Sequence, residues 1–281
     1  MIEVLKPGLY STIQDSGRIG YREFGVPVSG FMDAFSASLA NSILNNDLNS
    51  SVLEMTLVGT KLCFKVATQI CISGALITAK LNNTPIQYNS VITVSKNDIL
   101  SFGNVRSGVY TYLAVKDGFK TATVMNSRSY YEGITKKSKI EKGDILMINE
   151  VANKDSSSTR TAKIKPQDFT SNTITVFEGP EFDLLSNTQK VQLFDRDFTV
   201  SKLYNRMAYQ LSPSLEHQLP SILTSPVLPG TVQLTPSGKL IVLMRDCQTT
   251  GGYPRVLQLS EQGINLLSQK KERDVVKFKL S

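Results

Sequence analysis

The chain has 281 residues, 41% of them apolar, and 31 Lys and Arg against 24 Asp and Glu give a net charge of +7. That content can bury a full core in one large or two modest domains and excludes general disorder. The opening residues, MIEVLKPGLYST, hold no apolar run behind a basic start, and no stretch of about 18 apolar residues occurs, so neither a signal peptide nor a transmembrane helix is expected.

In chain order, Asp33 can cap a helix over 34–45, with Phe35, Leu39, Ala40, Ile43 and Leu44 as its apolar stripe. From there the pattern changes to short β-branched or alternating runs: VLEMTLVG, KLCFKVA, QICISGA, VITVS, DILSFG and YTYLAV. Gly, Asn or Asp punctuate them about every 8–12 residues, which predicts antiparallel sandwiches or barrels rather than βαβ units. The stretch NKDSSSTRTAKIKPQD (153–168) has no apolar periodicity and reads as a linker or flexible loop, taken as 153–172. It separates an N-terminal β lobe, 1–152, from a C-terminal β lobe, 173–281, against which the N-terminal segment is free to pack. Beyond it, TITVFEG, KVQLF, TVQLT, KLIVLM, VLQLS and VVKFKL read as strands. Short helices are expected near 181–187 and at 260–269, the latter capped by Ser260.

Three cysteines, Cys63, Cys71 and Cys247, do not make a disulfide framework and fit a reducing cytoplasm. Cys63 and Cys71 lie in strand-like runs and read as buried apolar residues. With one histidine, His217, and no zinc-ligand spacing, no His/Cys metal site is expected. His217 lies in SLEHQLPS, where nothing nearby points to a Ser-His-Asp triad. The basic residues are scattered, densest in KKSK at 136–139. They describe a solvated surface rather than a nucleic-acid face, and their mild positive field suits an anionic small substrate or nucleotide. No phosphate-cradling glycine motif and no GxSxG elbow is present.

Two polar, glycine-rich stretches carry the chemistry. TIQDSGRIGYREFGVPVSGFMDAF (12–35) interleaves Gln14, Asp15, Arg18, Tyr21, Arg22, Ser29 and Asp33 with four glycines, which permit positive φ and close approach to a ligand. DCQTTGGYP (246–254) lies between two apolar runs and holds more polar groups than a hairpin tip needs. Gly251 and Gly252 can offer backbone N–H groups to a developing oxyanion, with Gln248, Thr249 and Thr250 as further donors. The alternative for both is a turn whose side chains satisfy their own backbone.

TIQDSGRIGYREFGVPVSGFMDAFSASLAN closely resembles the opening of the KipA family. That family is also known as the 5-oxoprolinase C-subunit family, allophanate hydrolase subunit 2, or the biotin-dependent carboxyltransferase family. The resemblance continues through LEMTLVG (53–59), YLAVKDG (112–118), SRS (127–129), FEGPE (177–181), NRMAY (205–209), PGTVQLTPSGKLIVLMRDCQTTGGYP (229–254) and VVKF. Departures fall at Tyr110, Asp117-Gly118, Asn126, Ala208 and Glu272-Arg273-Asp274, outside the two polar stretches.

The resemblance implies an all-β fold of two barrel-like, cyclophilin-like lobes. It implies action with two partner subunits, one KipI-like and one LamB/YcsF-like, the complex using ATP to open the lactam of 5-oxoproline to glutamate. Other members imply a carboxyltransferase or allophanate-hydrolase-type subunit that works on urea-like substrates, or a non-catalytic regulator of a kinase through a KipI-like partner. All these substrates hold an N–C=O unit, which needs donors at oxygen and a carboxylate or amide near nitrogen. Asp15, Arg18, Asp246 and Gln248 are therefore the candidate catalytic residues. Gln14, Tyr21, Ser29, Asp33, Asn205, Arg206, Thr249, Thr250, Gly251, Gly252 and Tyr253 are the candidate substrate contacts. The two stretches are expected to converge on one pocket.

Overall fold

The computed structural model describes residues 1–151 and 169–281. The expected linker falls mostly on 152–168 and so lies outside the described residues. The chain forms two compact units, Met1–Gly17 with Ala34–Asp168 and Arg18–Asp33 with Phe169–Ser281. Both are barrel-like and built mostly of strands, with three α-helices among the described residues. None of these helices is long and apolar enough to cross a membrane.

In the first unit the chain runs β1 (Ile2–Lys6), β2 (Tyr10–Gln14), α1 (Ala34–Ile43), β3 (Val52–Thr56), β4 (Lys61–Phe64), β5 (Thr68–Leu81), β6 (Thr84–Pro85), β7 (Ile92–Val94), β8 (Ile99–Val115) and β9 (Ile145–Leu146). These make one nine-stranded sheet in the order β2-β3-β8-β4-β1-β9, with β5 pairing β6, β7 and β8. DILSFG and YTYLAV, separate in the sequence pattern, fuse into the 17-residue β8. Bulges between Gly74 and Ala79 let β5 follow so long a partner. The core gathers Ile2, Val4, Leu53, Leu62, Phe64, Ile70, Ile72, Leu113 and Val115, all unexposed. Each contributes about 1.5–3 kcal/mol by leaving water.

Of the stripe expected over 34–45, only Ala40 and Leu44 are fully buried. Ser36, Ala37, Ala40 and Asn41 face inward, while Phe35 is 48% exposed. Small side chains let the helix approach β5 and β8 closely, and Ser73 Oγ on β5 donates to the Ser36 carbonyl.

The second unit contains β10 (Thr173–Glu178), α2 (Asn187–Asp195), β11 (Phe198–Tyr204), β12 (Ala208–Ser212), β13 (Ser225–Pro226), β14 (Thr231–Leu234), β15 (Leu240–Leu243), β16 (Thr250–Gly251), β17 (Arg255–Leu259), α3 (Glu261–Ser268) and β18 (Val275–Leu280). Seven of these strands close a barrel in the order β10-β17-β14-β15-β12-β11-β18. Its interior holds Ile174, Val176, Phe198, Val232, Leu234, Val242, Leu257 and Phe278, all buried.

Two expectations are corrected here. KVQLF is not a strand; it lies in α2, because Ser186 starts a helix with a complete capping box to Gln189. The helix expected near 181–187 is only a 3₁₀ turn at Phe182–Leu184. Ser260 does cap α3, accepting from Gly263 N at 3.0 Å.

Candidate functional site

Gln14 and Asp15 end β2 in the first unit, and both are spoken for locally. The Asp15 carboxylate accepts from Gly17 N (2.9 Å), Ser127 Oγ (2.6 Å), Arg128 N (2.6 Å) and Ser129 Oγ (2.7 Å). It thus holds the SRS segment against β2. These four accepted bonds make the carboxylate an anchor for that loop. Gln14 is unexposed and donates to Thr12 Oγ1 (3.0 Å) and the Tyr130 carbonyl (3.3 Å).

The remaining candidates belong to the second unit. Residues 18–33 run as an irregular segment whose turns need Gly20, Gly25 and Gly30 at positive φ, and Ser29 joins them at 59°. Arg18 is wholly buried, and its amide donates to the Val28 carbonyl at 2.7 Å. Tyr21, partly exposed, precedes a 3₁₀ turn at Arg22–Phe24.

This segment meets the 245–249 stretch at three places. Ser29 N donates to the Arg245 carbonyl (3.0 Å). Arg22 Nη2 donates to the carbonyls of Val227 and Thr249. Arg206 joins the Gly30 carbonyl (2.7 Å) to Asp246, which it grips with two bonds of 2.7 and 3.1 Å. That ion pair is nearly buried, so the Asp246 carboxylate is charge-paired within the unit. Asn205 shapes a turn, its Oδ1 accepting from Met207 N (2.8 Å) and Ala208 N (3.1 Å). Asp33, unexposed, accepts from Gln269 Nε2 at 2.9 Å.

DCQTTGGYP is not a bare hairpin tip. Thr250–Gly251 pair with Ser225–Pro226, and Val227 N donates to the Thr249 carbonyl at 3.1 Å. This ribbon roofs the outer face of β14 and β15. On β14, Val232 and Leu234 point into the barrel, so Gln233 points outward. It is nonetheless only 2% exposed, because Gly251 lies on it: a Cβ at 251 would stand 2.4 Å from Gln233 Nε2. Neither Gly251 nor Gly252 adopts positive φ, so the need for glycine at 251 is close approach, and Gly252 has room beside Ile222 O at 3.6 Å. Thr250 and Tyr253 are exposed, and Gln248 and Thr249 partly so.

Under the roof Cys247 packs with Val227 and Leu243. Burial pushes its thiol up to about 11, against the opposing pull of the Arg22 guanidinium beside it. Gln248 Nε2 reaches Gln233 Oε1 at 3.4 Å, while Gln233 Nε2, Gln248 Oε1 and Arg22 Nη1 are buried without a hydrogen-bond partner. Each such group costs about 1–3 kcal/mol unless something satisfies it. Sequence reasoning left Gln233 and Cys247 unassigned and noted Arg22 without a role. Alternation makes Gln233 a solvent-facing residue, and nothing local signals its cover.

The ribbon is braced from the other side. Arg255 donates to Glu181 from N (2.8 Å), Nε (2.9 Å) and Nη2 (2.7 Å), and from Nη1 to the Pro226 carbonyl (2.9 Å). Hydrogen bonding by Arg255 holds the Glu181 carboxyl below its ordinary 4.5. An open cavity of about 610 Å³ lies elsewhere, lined by Gln189, Glu216, His217, Gln218, Pro236, Ser237 and Gly238. Both His217 nitrogens are engaged there, Nε2 with the Thr235 carbonyl (2.7 Å) and Nδ1 with Leu219 N (3.0 Å).

The family described as carboxyltransferase domain, subdomain A and B, matches residues 24–280. The C subunit of the 5-oxoprolinase of Escherichia coli is 30% identical, over 96% of this chain and 87% of its own length. The crystal structure of Kluyveromyces lactis urea carboxylase is similar at a TM-score of 0.86 and 28% identity, over 99% of this chain and 27% of that one. That of TTHA0988 is similar at 0.84 and 25% identity, over 99% of this chain and 55% of that one. The chain thus spans about half of TTHA0988 and about a quarter of the urea carboxylase.

Proposed function

This chain belongs to the carboxyltransferase-domain family, subdomains A and B, and from that premise we propose that it serves as the C subunit of a cytoplasmic, ATP-dependent 5-oxoprolinase. The complex, with KipI-like and LamB/YcsF-like subunits, hydrolyses the lactam of 5-oxoproline to glutamate. The observation that carries this reading is coverage: the likeness takes in 87% of the Escherichia coli protein but only 27% of the urea carboxylase.

A lactam carbonyl is a poor electrophile because the ring nitrogen donates into it. Donors at its oxygen, in a site that excludes water, lower the cost of attack. The chain's own contribution is the rigid roof at 225–227 and 247–251, which fixes amide and guanidinium groups before substrate arrives. ATP serves the complex; this chain has no phosphate-cradling glycine loop, and no cluster of three metal-ligating side chains exists among its described residues.

The test is reconstitution. The chain mixed with its two partner subunits should release phosphate in step with glutamate from 5-oxoproline and ATP, and the chain alone should do neither. Turnover by the purified single chain would defeat the subunit role. The likeness to urea carboxylase favours a second reading, carboxyl transfer to a urea-like acceptor. Carboxylation of urea with a biotinylated carrier, together with no cleavage of 5-oxoproline, would establish it instead.

A further inference from the structure

We propose that Arg22, Gln233 and Gln248 form a recognition edge for an anionic cyclic amide, with Arg22 taking a carboxylate and the two glutamines taking the amide's N–H and C=O. This rests on the 5-oxoprolinase reading and names the part of the chain that selects the substrate. Three observations support it. The Arg22 guanidinium meets the carbonyl oxygens of Val227 and Thr249 and lies beside the Cys247 thiol, so its charge has no acidic counterpart among the described residues. Gln233, 2% exposed, keeps a buried Nε2 donor with no partner. Gln248, bonded to it through one 3.4 Å contact, keeps a buried Oε1 acceptor with no partner.

An un-neutralised cation, a free donor and a free acceptor are joined by a short chain of contacts, since Arg22 bonds Thr249, the neighbour of Gln248, and Gln248 bonds Gln233. A lactam offers the converse set: a carbonyl to the donor and a ring N–H to the acceptor. A carboxylate on the ring completes it at Arg22. The inventory does not depend on which way the amides are drawn. Turning both over exchanges their roles and still leaves one donor and one acceptor. Gln248 is partly exposed while Gln233 is not, so the outer amide leads from solvent to the inner one. A bound lactam replaces the long amide–amide contact with two bonds. Urea, lacking the carboxylate, leaves Arg22 unmet; 2-pyrrolidinone does the same while keeping the ring.

Calorimetry on the full chain, alone and with its partner subunits, tests this with 5-oxoproline and 2-pyrrolidinone as probes. The wild type should prefer 5-oxoproline. Arg22→Gln should weaken 5-oxoproline roughly tenfold or more and leave 2-pyrrolidinone unchanged, erasing the preference. Gln248→Leu and Gln233→Leu should weaken both ligands by about tenfold. Because Gln233→Leu is a core change, Arg22→Gln and Gln248→Leu, with melting points within a degree or two of wild type, decide the matter. Wild-type affinities in those two variants, or no binding to either preparation, overturn the proposal. Turnover separates it from the functional reading. A complex that cleaves 5-oxoproline with an unchanged KM in both variants keeps the function and removes this edge. A complex that binds 5-oxoproline through these residues without cleaving it keeps the edge and removes the function.

Discussion

At the scale of single residues, most of the charge in the glycine-rich 12–35 stretch is buried, with Glu23 alone exposed. Asp15 accepts four hydrogen bonds and is 8% exposed. Asp15→Ala should therefore cost about 3 kcal/mol or more and lower the melting temperature by several degrees. A melt unchanged from wild type would return Asp15 to the list of free carboxylates. Glu181 makes a pH-dependent contribution. Its carboxyl is held below 4.5 by Arg255, so the stabilisation is whole above 4.5 and is lost as pH falls through the folded value. Glu181→Gln should melt lower than wild type at pH 7, and the gap should close as pH falls from 4.5 through the folded value of the carboxyl. A gap that stayed constant with pH would mean that the ion pair contributes nothing.

At the scale of elements, the ribbon of β13 and β16 covers a barrel wall that would otherwise face solvent. Its fit depends on Gly251 lying against Gln233. Gly251→Ala should displace the buried Gln233 amide and cost about 1–3 kcal/mol, because overpacking is absorbed poorly. Gly252→Ala should cost less than about 0.5 kcal/mol, since the added carbon meets only Ile222 O at 3.6 Å. Chemical denaturation of the two variants checks the order, and a reversed order would mean that the roof sits differently.

At the scale of the whole molecule, the three thiols report on both units, Cys63 and Cys71 on the first and Cys247 on the second. All are buried, and burial pushes Cys71 up to about 12 and Cys247 up to about 11. The reactive thiolate is then scarce at neutral pH. The native chain should resist alkylation for hours at pH 7.5 and take up three equivalents in denaturant, as mass spectrometry of its peptides would show. Rapid native labelling of Cys247 would mean that the ribbon opens readily, and would place the Arg22 neighbourhood in a mobile region.

What the sequence determined by itself is local and periodic. Alternation marked most strands, Ser260 marked the start of α3, and long unusual motifs such as QTTGGYP marked the family, because each signal lies within a few residues. It misread KVQLF, where a capping box outweighs β-branched content. It also misread part of the buried face of α1, where closeness of approach puts Ser36, Ala37 and Asn41 inward and leaves Phe35 exposed. Only the tertiary structure decided the fate of the polar residues. Asp15 and Asp246 looked alike as loop carboxylates, yet one anchors Ser127–Ser129 and the other is gripped by Arg206. Gln233 looked like a solvent-facing strand residue, yet Gly251, 18 positions downstream, covers it. Burial and pairing depend on segments far apart in the chain, and no local pattern encodes which of them will meet.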